Sequence, residues 1–170
     1  MASSLETTWS TTPIVLGGGS LFRDLDGDQL FEFCQANPAY RIERTAEGDL
    51  VIMTPAGFNS SERNSLVTAQ LVVWAVKDGT GATTDSSGGF ILPNGALRSP
   101  DASWTKRERV QQVPETQREK FPLLVPDFVI ELRSKSDRIS HHRVKMKEWI
   151  DNGVRLGWLI DPFERRVDRN

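Results

Sequence analysis

Pro126-Asp127-Phe128-Val129-Ile130-Glu131-Leu132-Arg133 is the stretch on which the reading of this chain turns. Its alternation predicts a strand, with Phe128, Ile130 and Leu132 on one side and Asp127, Val129, Glu131 and Arg133 on the other. A helix is expected from about 139 to 152, with Ile139, Met146, Trp149 and Ile150 as its apolar stripe and Gly153 as its stop. Val154, Leu156, Trp158 and Ile160 then alternate as a second strand that closes on Asp161-Pro162. Strand, helix and strand in this order, after hairpins upstream, predict a mixed α/β (α+β) fold in which a mixed β-sheet is flanked by helices.

Working outward, a helix is expected from about 60 to 77, where Leu66, Ala69, Val73 and Val76 recur near helical spacing with Trp74 beside them. Upstream of it, residues 40–44 and 49–54 alternate around Ala46-Glu47-Gly48 as a β-hairpin. A short helix over about 28–36 carries Leu30, Phe31 and Phe33, with acids crowding its positive end and Asn37-Pro38 stopping it. Strands are also expected at Phe90-Ile91-Leu92 and over 101–105, and 106–122 reads as a polar connection. Residues 1–20 are Ser/Thr-rich, end in Gly17-Gly18-Gly19-Ser20 and read as a flexible tail before a single domain over 21–170.

The 170 residues balance 21 Lys and Arg against 23 Asp and Glu, so any polyanion must meet a local basic face. The apolar runs are far shorter than the ~20 residues of a membrane helix, and no leader pattern opens the chain, which predicts a cytoplasmic protein with no membrane partner. Cys34 is the one cysteine, which excludes an internal disulfide and a cysteine zinc cluster. Asp24-Leu25-Asp26-Gly27-Asp28 fails as a calcium loop, because the glycine falls fourth and position twelve is Gln35. His141 and His142 point about 100° apart on a helix and make no metal pair.

Glu131 stands in mid-strand, where a carboxylate must be solvated, paired or bound to a cation. Arg133 shares its face at about 6–7 Å, while Asp127 lies about 13 Å away, too far to share an ion with it. A second carboxylate must come from a neighbouring strand, and Asp101 in Ser99-Pro100-Asp101 is the candidate. Two carboxylates from adjacent strands suit Mg²⁺. The competing reading pairs Glu131 with Arg133 or a cross-strand lysine and leaves Asp101 as a turn residue. The segment that follows is basic: Arg133, Lys135, Arg138, Arg143, Lys145 and Lys147 stand against Asp137 alone. It reads either as a surface for a phosphate backbone or as a solvated helix face.

Pro126 to Ser134, and Asp137 to Pro162 after it, closely resemble the Uma2 family of the PD-(D/E)xK, restriction-endonuclease-like nuclease superfamily. The likeness spans roughly 22–168 and includes Asn37-Pro38, Arg41-Ile42-Glu43, Met53-Thr54-Pro55, Ser99-Pro100-Asp101 and the block from Asn152 to Pro162. The resemblance implies a restriction-endonuclease-like sheet and a phosphodiesterase site using Mg²⁺ (or Mn²⁺). Asp101 would be the first metal carboxylate and Glu131 the second. Arg133 replaces the superfamily's usual lysine, and Lys145 matches a helix position to which that function has moved. The upstream acid is left open between Glu62 and Glu43. Lys135 stands in place of a usual proline and Trp149 in place of a usual tyrosine. Relatives continue past Asn170, which implies a domain lacking a C-terminal segment.

The expected function is therefore a DNA endonuclease, with Asp101, Glu131 and Lys145 as its centre. Arg133, Lys135, Arg138, Arg143 and Lys147 would lie on the DNA backbone, and a homodimer is expected by analogy with superfamily members that cut both strands. The alternative is a truncated, non-cutting relative that binds DNA or a partner protein. The presence of Asp101, Glu131 and Lys145 together favours the enzyme.

Overall fold

The computed structural model describes residues 13–170. Along the chain they form β1 (Ile14–Leu16), α1 (Ser20–Arg23), α2 (Gly27–Gln35), β2 (Arg41–Arg44), β3 (Leu50–Met53), α3 (Phe58–Asp78), β4 (Gly81–Asp85), β5 (Phe90–Ile91), β6 (Leu97–Arg98), β7 (Ala102–Lys106), α4 (Arg107–Gln112), α5 (Glu115–Arg118), β8 (Phe128–Leu132), α6 (Ile139–Asp151), β9 (Leu156–Asp161) and β10 (Arg166–Arg169). The mixed α+β architecture expected from the sequence is present, with its strands divided between two five-stranded sheets.

The first sheet is antiparallel, in the order β1-β3-β2-β6-β5, and packs under α2. Asp26 accepts from the Gln29 amide while the Gln29 side chain accepts from the Asp26 amide, so α2 begins at a capping box. Leu30 is driven down onto Ile42, Leu50 and Leu97. The expected flexible tail falls largely on residues 1–12, outside the described residues. Ile14–Leu16 pairs with β3, because a sheet edge satisfies its backbone groups.

The second sheet, β10-β9-β8-β7-β4, is mixed: β8 and β9 run parallel and the other pairs antiparallel. Its parallel pair needs a crossover, which α6 supplies. Both faces are covered. Val129 packs with Met146, Trp149 and Leu159 on the α6 side, whereas Ile130 packs with Leu71, Ala75, Ala102 and Trp104 on the α3 side. Gly157 brings β9 against α6: a Cβ there would stand 2.2 Å from the Met146 sulfur.

On α3 the expected stripe is not the buried one. Leu66, Val73 and Val76 are at least half exposed, and Leu71 and Ala75 face the sheet. Apolar residues occur all round this helix, so spacing did not single out a face. The polar connection over 106–122 contains α4 and α5, neither of which buries a residue.

Candidate active site

Four elements bring charged groups together where the two sheets meet. Glu43 comes from β2, Glu131 from the middle of β8, Lys145 from the inward face of α6, and Asp101 from the residue before β7. The pairing of Ala102 with Ile130 sets Asp101 one step along, opposite Glu131, with its amide donating to the Ile130 carbonyl at 3.0 Å. The Leu132 amide donates to Asp101 Oδ2 at 2.7 Å, which fixes that carboxylate against β8. Residues opposite one another across such a ladder hold their Cβ atoms about 4.5–5.5 Å apart.

Lys145 is the hinge of the cluster. Its Nζ donates to Glu43 Oε1 at 3.0 Å and to the Ser99 carbonyl at 3.0 Å, and it straddles Glu131 at 3.0 Å from Oε1 and 3.2 Å from Oε2. All three ammonium hydrogens therefore have partners. The Trp149 indole N–H donates to Glu131 Oε1 at 2.8 Å from within the core. Glu43 is 3% and Glu131 2% exposed, so both carboxylates depend on these contacts in place of water.

A second tier of cations surrounds Glu43. Arg98 Nη1 lies 3.2 Å from Glu43 Oε2, its Nε lies 2.5 Å from Glu148 Oε2, and the Ser99 amide donates to Glu43 Oε1 at 3.2 Å. Arg41 Nη2 donates to the Ser99 carbonyl and stands 3.4 Å from Glu43 Oε1, while Nη1 stands 3.7 Å from Asp101 Oδ1.

These contacts set the charge states. Burial pushes the Glu43 carboxyl up, but Lys145, Arg41 and Arg98 outweigh it and hold the group down at about 2. Glu131 is raised, first by burial and then by the neighbouring charges of Asp101 and Glu43; Lys145 and the Trp149 N–H only partly offset them. Burial would strip the proton from Lys145, yet Glu131 and Glu43 keep it firmly bound. Lys145 is thus a fixed cation.

Asp101, Glu131, Lys145 and Arg41 line one cleft of about 790 Å³, whose walls include Arg63, Arg133, Ser134, Asp137 and His142. Asp137 Oδ2 accepts from the Ser134 amide at 2.9 Å and contacts His142 Nε2 at 3.0 Å. The hydrogen bond from His142 is the main cause that lowers the Asp137 carboxyl.

Of the other expected site residues, Glu62 points out from the exposed face of α3 and is not part of the cleft wall, although Ser61, Arg63 and Asn64 beside it are. Arg133 reaches the cleft but gives Nη1 to Asp161 at 2.7 Å. Of the residues expected on the DNA backbone, Arg133 alone lines the cleft. Successive residues of a helix turn by about 100°, so Lys145 faces inward while Arg143 meets Asp168 and Lys147 meets Asp151 on the outside. Lys135 and Arg138 are exposed and, with Arg143 and Lys147, lie outside the cleft wall. Arg63 and Arg98 carry no signal for this site in the sequence, and Arg41 and Trp149 read only as parts of the Uma2 likeness and of a helix stripe, since contacts between distant segments bring all four here.

The donor set suits a hard divalent cation. Asp101 and Glu131 are neighbouring carboxylates that repel one another, and a cation between them would relieve that repulsion. Among the described residues no three His, Cys, Asp or Glu side chains could share an ion. Two protein carboxylates, with water and phosphate completing the shell, is the Mg²⁺ pattern.

The Uma2 family, described as "Putative restriction endonuclease", matches residues 28–169. This chain belongs to the Uma2 family. A solved structure described as a putative nuclease belonging to DUF820, from Anabaena variabilis, is similar at a TM-score of 0.64 and 20% identity, over 76% of this chain and 70% of that one. At that identity the likeness shows a shared fold. No curated protein matches the sequence. Among the described residues of this Uma2 chain, no helix is long and apolar enough to cross a membrane.

Proposed function

We propose that this Uma2 protein is a metal-dependent endonuclease that hydrolyses DNA phosphodiester bonds. The observation that carries the reading is the Lys145 ammonium between Glu43 and Glu131, with Asp101 opposite Glu131 in an open cleft. DNA as the substrate rests on membership of the family.

Asp101 and Glu131 would hold Mg²⁺ (or Mn²⁺), which when bound supplies a more acidic water and neutralises charge on the phosphoryl group. The chain's own residues do the rest. Trp149 and Lys145 fix the Glu131 carboxylate from two directions, so its lone pairs are aimed before substrate arrives. Lys145 keeps its proton, so it acts through charge and hydrogen bonds and not as a base. Glu43 locks Lys145 in place and stays ionised throughout the neutral range. Arg41, Arg63 and Arg133 give the cleft wall the positive character that a phosphate backbone needs.

Nicking of supercoiled plasmid with Mg²⁺ or Mn²⁺ tests this reading, with wild type beside Glu131→Gln and a chelator control. Calorimetric titration of the metal onto both proteins gives a second readout. Metal-dependent nicking that Glu131→Gln abolishes, with weakened metal binding, is expected. Equal nicking by both proteins, or a folded wild type that neither binds metal nor cuts, overturns it.

A further inference from the structure

The cleft holds two cations beside the carboxylates, and they differ in what they have left to offer. Lys145 has spent its three hydrogens on Glu43, Glu131 and the Ser99 carbonyl. Arg41 has five N–H donors. One Nη2 hydrogen goes to the Ser99 carbonyl, and the approach to Glu43 is long at 3.4 Å. Nη1 stands 3.7 Å from Asp101, beyond a normal hydrogen bond, whereas Nε is buried out of reach of the cleft and has no partner among the described residues. The side chain is 31% exposed and lines the cleft. That leaves the Nη1 hydrogens, held by charge next to the two candidate metal carboxylates, to meet an oxygen of a phosphodiester.

We propose that Arg41 is a catalytic residue that donates from Nη1 to a non-bridging oxygen of the scissile phosphate and tightens on it as phosphorus becomes five-coordinate. The proposal rests on the nuclease reading. In the step itself, a bond forms from the water oxygen to phosphorus and the bond to the sugar oxygen breaks. The water gives its proton to solvent, the sugar oxygen takes one from solvent, and Arg41 keeps all of its own. Glu43 is the positioning residue, since it and Ser99 anchor Nη2 and leave Nη1 for the substrate.

Arg41→Lys separates this role from a structural one, because it keeps the charge beside Glu43 and Asp101 but loses the second donor nitrogen. Single-turnover plasmid nicking is expected to slow by about 10²–10³-fold, the effect of losing one donor to a developing oxyanion. Affinity for a labelled duplex and the melting temperature should stay near wild type. Arg41→Ala should regain part of its lost rate when guanidinium chloride is added below its denaturing range, whereas Glu131→Gln should not. Nicking by Arg41→Lys at the wild-type rate, or an Arg41→Ala protein that guanidinium leaves unchanged, overturns the assignment. A wild type that cuts no plasmid removes the nuclease reading as well; an active wild type with an equally active Arg41→Lys removes only this one.

Discussion

Lys145→Met keeps the length of the side chain and removes its charge, which makes it the sharpest probe of the cluster. Two carboxylates, 3% and 2% exposed, then lose the ammonium they share. Removing one partner of a buried pair costs about 3–5 kcal/mol. That is a large share of the 5–15 kcal/mol, roughly, that holds a domain together. At about 2–4 °C per kcal/mol for a chain of this size, the melting temperature should fall by roughly 6–20 °C. The loss falls mainly on Glu131, because Arg41 and Arg98 still hold Glu43. Glu131, already raised by burial, Asp101 and Glu43, is pushed higher still without Lys145. A carboxyl raised on folding is a penalty that is absent below its unfolded value and grows as pH rises towards its folded one. The deficit of the variant should therefore be larger at pH 8 than below the usual carboxyl value of 4.5, about 3–5 kcal/mol at the upper pH, as read by urea unfolding. Adding Glu131→Gln to Lys145→Met should restore part of the loss by removing the stranded charge. A Lys145→Met protein within about 1 kcal/mol of wild type at pH 8, or a deficit that ignores pH, would refute the reasoning.

Glu43 drops from the usual 4.5 to about 2 on folding, which is worth roughly 3 kcal/mol. That stability is present above about pH 4.5 and is lost as pH falls towards 2, so Glu43→Gln should flatten the acid limb of the wild-type stability curve. Gly157→Ala drives a Cβ to 2.2 Å from the Met146 sulfur and should cost about 1–3 kcal/mol in denaturant titration, part of it recovered in a Met146→Ala background. Arg63 lines the cleft, with its guanidinium 5.3 Å from the Phe163 ring centre, and makes no ion pair among the described residues. Arg63→Ala should reduce the slope of log affinity against log salt for a labelled duplex by about 0.9, measured by fluorescence anisotropy; an unchanged slope would place Arg63 off the backbone.

The sequence was most informative where local pattern and burial agree. The alternation through Phe128–Leu132 and the apolar stripe of the following helix read directly as β8, α6 and β9. Glu131 from that region, Asp101 from beside the neighbouring strand and Lys145, whose role only the resemblance implies, lie together in the structure. Glu43 could only be offered as one of two upstream acids, because in isolation Arg41-Ile42-Glu43 is an ordinary charged hairpin strand. What buries Glu43 is a contact with Lys145, 102 residues away. Glu62 is the other upstream acid left open by the resemblance, but side-chain direction turns it out to solvent while Arg63 and Asn64 turn in. The strand at Phe90-Ile91 is legible, but the two-residue strand β6, the short helices α4 and α5, and the exposed β10 carry too little apolar period for any pattern to single them out.

That 102-residue separation has a consequence for when cutting competence arises. Glu43 leaves the ribosome with the first sheet, Asp101 and Glu131 follow with the second, and Lys145 arrives only with α6. No contiguous fragment of the fold owns the constellation, since it spans both sheets and the crossover helix. Contacts so distant in sequence form late, after the loop-closure cost between them has been met. A half-made or locally opened chain therefore has the carboxylates but not the ammonium that sets them, and complete folding acts as the safety catch on the chemistry.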